Sequence, residues 1–210
     1  MNVKNTTWSN IDFEEFKRNY DVLKECADNG MHVMGLTNAN AYTYEPLKGC
    51  PMRGMCPPFL AVSTLGDGLL LREKGVTFPI LVREYPYPED ASDYVKALHG
   101  GFLAQSADSL PAVRALQQKV MFFGGLIRLH LKVEMSSTGS GFHYLNEDDP
   151  IDDLLSAMSV GIYCEGIYTE LKEDEPTEVK DMKIQAFTRL VSRLEEAKGR
   201  TFAIKHYFSV

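Results

Sequence analysis

Apolar residues recur at helical spacing from the start of the chain. Phe13, Phe16, Tyr20, Leu23 and Ala27 fall on one stripe, Asp12 and Glu15 are placed as a capping box, and Asn29-Gly30 is a stop. The pattern predicts a helix whose apolar face packs inward. His32 to Leu36 follows as a short apolar run without polar alternation, as expected of a strand buried on both faces. This pair of signals repeats. Runs at 59–63, 79–82, 102–105, 127–133, 162–168 and 202–206 read as strands, and 65–74, 90–98, 109–119, 152–158 and 178–197 read as helices. In the last helix Val179, Met182, Phe187, Leu190, Val191 and Leu194 form the apolar face, and Gly199 ends it.

Seven strands alternating with helices predict an α/β fold with a parallel sheet and right-handed crossovers. The expected class is a parallel (β/α) TIM-type barrel, incomplete at about seven strands, with an open doubly wound sheet as the alternative. No Pro/Gly/Ser-rich linker divides the chain, so residues 1–210 read as a single barrel domain. In either architecture chemistry belongs at the carboxyl ends of the strands. That draws attention to 38–44, Thr64, Arg83-Glu84, Ser106, Glu134 to Gly141, Thr169-Glu170 and Phe208-Ser209.

Composition narrows the function. A net charge of −7 with no Lys/Arg-rich run argues against a nucleic-acid partner, since phosphate binding needs clustered positive charge. No stretch approaches the roughly 18 apolar residues of a membrane span, and the start lacks the apolar run of a signal peptide. The expectation is a soluble cytoplasmic protein with no membrane partner and a small molecule as its ligand class. Cys26, Cys50, Cys56 and Cys164 are too scattered to staple the chain and read as reduced. The spacing of Cys50 and Cys56 is wrong for zinc, so no metal site is expected there. Glu84, Glu134 and Glu170 at strand ends make a hard-cation or amine pocket an alternative. Lys132, in a buried-looking strand, needs an acidic partner, for which Glu134 and Glu170 are the candidates. His130 and His206 read as hydrogen-bonded core histidines.

Several motifs carry a resemblance. The opening Trp8-Ser9-Asn10-Ile11-Asp12 with Asn19 resembles the W-x-x-I-D…N start of alanine racemases, pyridoxal-phosphate enzymes of the barrel type. Asn40-Ala41-Tyr42 is similar to the centre of K-A-N-A-Y-G-H-G. His130-Leu131-Lys132-Val133-Glu134 with Gly141-Phe142 brackets H-x-K-V-D-T-G-M-x-R-x-G-F, and Glu165-Gly166-Ile167-Tyr168-Thr169 fits E-G-I-Y-T-H. The resemblance runs in order along most of the chain and implies the amino-terminal barrel of that family.

Residue by residue, the resemblance implies altered chemistry. Asn38 stands where the family has the lysine that forms the Schiff base with pyridoxal phosphate, and an amide is neither nucleophilic nor basic near neutrality. Gly139 replaces the arginine of D-T-G-M-x-R, and Glu170 replaces the histidine of Y-T-H. The A-N-S phosphate segment reads Tyr207-Phe208-Ser209. Tyr42, Ser209 and His206 are the positions that resemblance assigns to the cofactor, and Lys132 is the lysine open to substitute for the missing one. The sequence ends at Val210, after the seventh predicted strand, so the family's eighth strand and carboxyl-terminal domain, with the partner-supplied second base, are not in it.

The expected function is a diverged racemase-like protein, catalytically inactive, keeping at most a residual phosphate or pyridoxal-phosphate pocket. One alternative is a pyridoxal-phosphate-dependent amino-acid racemase using another lysine, and the other a non-enzymatic binding scaffold. Unpaired strand edges favour a homo-oligomer.

Overall fold

The structure is a computed structural model that describes residues 12–26, 32–37, 59–84, 103–124 and 126–209. Asn38, Tyr42, Cys50, Cys56 and the helix predicted over 90–98 lie outside the described residues. The chain divides into two compact units, Met1–Leu81 and Val82–Val210.

The first unit carries α1 (Phe13–Cys26), β1 (Met34–Leu36), β2 (Phe59–Val62), α2 (Leu65–Glu73) and the start of β3 (Ile80–Val82). The Asp12 side chain accepts from the backbone N–H of Glu14 and Glu15, both at 3.0 Å. Glu15 turns instead to Arg18 at 2.6 Å, so only the Asp12 half of the expected capping box is seen. The α1 stripe is buried at Tyr20, while Phe16 and Leu23 are exposed at 40% and 55%. Periodicity shows which residues share a face, and it does not say what covers them. At α2 a full box forms: the Asp67 N–H donates to Thr64 Oγ1 at 3.1 Å and the Thr64 N–H to Asp67 Oδ2 at 3.3 Å. β1 and β2 pair in parallel, Met34 opposite Phe59, and the Leu60 N–H donates to Pro79 O.

The second unit holds β4 (Leu103–Ala107), α3 (Leu110–Phe123), β5 (Arg128–Glu134), β6 (Phe142–His143), α4 (Asp152–Ala157), β7 (Tyr163–Leu171), α5 (Thr177–Lys198) and β8 (Ile204–Ser209). β4, β5, β7 and β8 lie side by side in that order, all parallel. Strands that neighbour in chain order, with no reversal point, wind as a barrel does; a doubly wound sheet reverses. The class is therefore the incomplete TIM-type α/β barrel, and each of the seven predicted strands has its counterpart. β6 was not legible, because two residues carry no periodicity; it pairs with β5 through Val133 and Phe142.

Alternation along the strands separates two faces. On one, Leu129, Leu131, Val133 and Ile167 are completely buried. Phe187, Leu190, Val191 and Leu194 of α5, which packs against β7, supply apolar cover at spacings of three and four. Met182, expected on that face, is 61% exposed. It stands five residues before Phe187, which turns it well off the stripe. Gly199 ends α5 at φ 59°, the left-handed conformation expected of it. The other face of these strands is polar.

Candidate functional site

The register sets the polar face residue by residue. His130 lies opposite Gly166, Lys132 opposite Tyr168, Tyr168 opposite His206, and Glu170 opposite Phe208, while Ser106 lies beside His130. A register shift between Leu129 and His130 leaves Glu165 as an extra residue of β7. Such a bulge re-aims a side chain. Glu165 here meets Arg128 at 3.3 Å and His130 Nε2 at 3.6 Å.

Two polar groups result. In the first, Glu170 binds two cations, Arg83 Nη2 at 2.5 Å through Oε1 and Lys132 Nζ at 2.7 Å through Oε2. The Arg83 guanidinium also stacks over the Phe208 ring, 4.9 Å from its centroid. Burial pushes the Glu170 carboxyl up, but the hydrogen bonds and charges of Lys132 and Arg83 outweigh it and hold the group below its ordinary range. Of the two candidate partners for Lys132, the structure selects Glu170. Glu134 is taken by its own loop, accepting from the Ser136 N–H at 2.9 Å and the Ser136 hydroxyl at 2.6 Å. The glutamates thus have separate partners, and no group of His, Cys, Asp and Glu among the described residues could hold a metal ion.

The second group is a histidine pair. His130 Nδ1 and His206 Nε2 are 2.8 Å apart, and the His206 ring stacks on Tyr168 at 4.9 Å with 16° between planes. With the His130 proton on Nε2, on the side of Glu165, His130 Nδ1 accepts from His206 Nε2–H and His206 Nδ1 is unprotonated. That Nδ1 is buried and meets no hydrogen-bond partner among the described residues. Desolvation, then the neighbouring His130, lowers the His206 pKa to about 3. His130, and after burial Arg128, hold the Glu165 carboxyl below its ordinary range. The Tyr168 hydroxyl shares a 2.8 Å hydrogen bond with Ser106 Oγ, and burial pushes it up to about 12. It is therefore a neutral hydrogen-bonding group and not a base at neutral pH.

Gly166 makes the pair sterically feasible. A Cβ there would lie 2.6 Å from His130 Nδ1 and 2.7 Å from Cε1. Gly139, at the position of the resemblance's arginine, has φ 136°, and a Cβ would meet Glu134 Oε2 within van der Waals overlap. A side chain at Gly139 would displace the Glu134 carboxylate from its loop and would strain a backbone conformation that favours glycine.

Of the residues singled out from sequence, Lys132 and His206 share the polar face. Ser209 closes β8 opposite Leu171, exposed and in the alternate set to His206 and Phe208. Asn38 and Tyr42 lie outside the described residues. Arg83 was noted only as a strand-end residue; its pairing with Glu170, 87 positions away, needed the strand order. Cys164 is a free buried thiol, pushed up to about 11 by burial.

Residues 11–207 match the family described as alanine racemase, N-terminal domain. The alanine racemase of Methanococcus maripaludis is 28% identical over 210 residues, 97% of this chain and 54% of that protein. Among solved structures, the alanine racemase of Clostridium difficile 630 superposes with a TM-score of 0.81 at 23% identity, covering 98% of this chain and 56% of that one. The histidine racemase of Leuconostoc mesenteroides superposes with a TM-score of 0.73 at 18% identity, covering 93% and 50%. The chain spans about half the length of the curated relatives it matches. Among the described residues no helix is long and apolar enough to cross a membrane.

Proposed function

The chain belongs to the alanine racemase N-terminal domain family, and from that premise we propose that it is a racemase-like barrel unit that has lost the cofactor-linked chemistry and keeps a polar small-molecule pocket at the carboxyl ends of its strands. The observation that carries this reading is the Lys132–Glu170 pair at 2.7 Å. Pyridoxal phosphate is the cofactor of the family, and covalent attachment needs an amine with a free lone pair. Among the described residues Lys132 is the lysine on the polar face, and it is engaged with the Glu170 carboxylate at 2.7 Å. Asn38, at the family lysine's position, offers no basic nitrogen. Lys132 as paired, and Asn38 by its side-chain chemistry, do not fit a Schiff-base cofactor.

Among the described residues of the polar face, four titratable groups are unsuited to move a proton. Tyr168 is held neutral, His206 resists protonation, and Glu165 and Glu170 are ion-paired carboxylates. Racemisation needs a base and an acid positioned about the substrate carbon. We therefore expect no turnover of L-alanine in a coupled D-amino-acid assay with pyridoxal phosphate supplied, and activity above a no-protein blank would contradict the reading. A working amino-acid racemase is the second reading, favoured by the names of the relatives. It requires an amine other than an ion-paired Lys132.

A further inference from the structure

Arg83 and Lys132 converge on one carboxylate from two strands. Arg83 follows β3 and Lys132 lies near the carboxyl end of β5, the end at which α/β barrels bind ligands. Two cations against one anion leave a surplus positive charge. Of the neighbouring acids, Glu165 faces Arg128 and His130, and the Glu134 carboxylate is turned into its own loop, where it accepts from Ser136. Arg83 Nε is buried and has no hydrogen-bond partner among the described residues, so the planar fork has an unused donor beside those that hold Glu170. The guanidinium carbon lies over the Phe208 ring. The three charged side chains are enclosed but not sealed, with 15% to 21% of each exposed.

We propose that Arg83 and Lys132 form a binding site for a small oxyanion, and that Glu170 occupies this site as a tethered internal anion that competes with the ligand. The geometry is that of an occupied anion site: each carboxylate oxygen takes one cation, as two oxygens of a phosphate or a free carboxylate would. A carboxylate tethered within the fold acts at an effective concentration on the order of millimolar or above, so exogenous anions bind weakly while Glu170 is in place. The site rests on the Lys132–Glu170 pair that carries the proposed function, and anion binding reads it out with no aldehyde cofactor present.

The test compares the full chain with Glu170→Gln by calorimetric titration of inorganic phosphate and, separately, acetate, in sodium chloride of constant ionic strength. The variant is expected to bind at least one of the two anions roughly tenfold tighter than the unchanged protein. Adding Lys132→Met to it should abolish the gain. Tighter phosphate than acetate assigns the site to phosphoryl ligands, and the reverse assigns it to carboxylates. A folded Glu170→Gln protein that binds neither anion more tightly overturns the proposal. Should that variant fail to fold, the unchanged protein is compared with Lys132→Met at neutral pH by titration with millimolar inorganic phosphate. A several-fold weaker affinity in Lys132→Met supports the site, and equal affinity in the two proteins overturns it.

Discussion

Acidification from about pH 6.5 to about pH 5 is expected to lower the unfolding free energy by about 2 kcal/mol through His206 alone. The folded pKa is about 3 against an ordinary value of 6.5. Across this window the unfolded chain takes up a proton that the folded protein refuses, so stability is present above pH 6.5 and falls as the pH drops. Each pH unit costs about 1.4 kcal/mol until the folded pKa is approached, for a limit of about 4–5 kcal/mol. The physical reason lies at Nδ1. The second proton must go there, and the resulting buried N–H would have no acceptor among the described residues and would sit beside His130. Glu165 and Glu170 add their own acid sensitivity at lower pH, because both are held below the ordinary carboxylate range. The window above pH 5 isolates the histidine. Urea titrations at several pH values should show this slope, and His206→Gln, neutral throughout, should flatten it. An equal slope in the two proteins contradicts the assignment.

Gly166→Ala should lower stability by about 2–3 kcal/mol, or about 5–10 °C in Tm for a domain of this size. The added methyl would press on the His130 ring at 2.6–2.8 Å. That ring cannot move freely, being bonded to His206 and only 2% exposed. Relief therefore comes from opening the histidine pair or shifting β7. Gly66→Ala in α2 is the control. Its Cβ would meet Thr64 Oγ1 at an ordinary 3.7 Å, and alanine is the better helix former by up to about 1 kcal/mol. Thermal denaturation of the two variants separates a steric cause from a general intolerance of substitution; a Gly166→Ala protein as stable as the parent contradicts the account.

The fold was legible because its signals are local. Short apolar runs alternating with helical stripes marked the strands and, with one helix outside the described residues, the helices; Gly199 was placed correctly as a stop. Met182 is apolar but lies off the buried face, because the five positions to Phe187 turn it about 140° around the helix. The site was partly legible. A lysine in a buried strand demands an acid, which brought Glu170 into view, and the structure places it at 2.7 Å. The contacts of Arg83 with Glu170 and of His130 with His206 join residues 87 and 76 positions apart. They depend on strand order and on the β7 bulge, neither of which leaves a mark on single residues. Gly166 did carry a signal, since a glycine inside a strand often marks close approach of another group, and here that group is an imidazole.

Among the described residues, no amine on this barrel face is free to hold the cofactor. The most direct test is borohydride reduction of the purified protein with pyridoxal phosphate, followed by peptide mapping. The account predicts no lysine labelled above the level of the same protein unfolded in denaturant, with Lys132 unmodified behind Glu170. Stoichiometric phosphopyridoxyl label on the peptide containing Lys132 would contradict it and restore the family's chemistry at a new position.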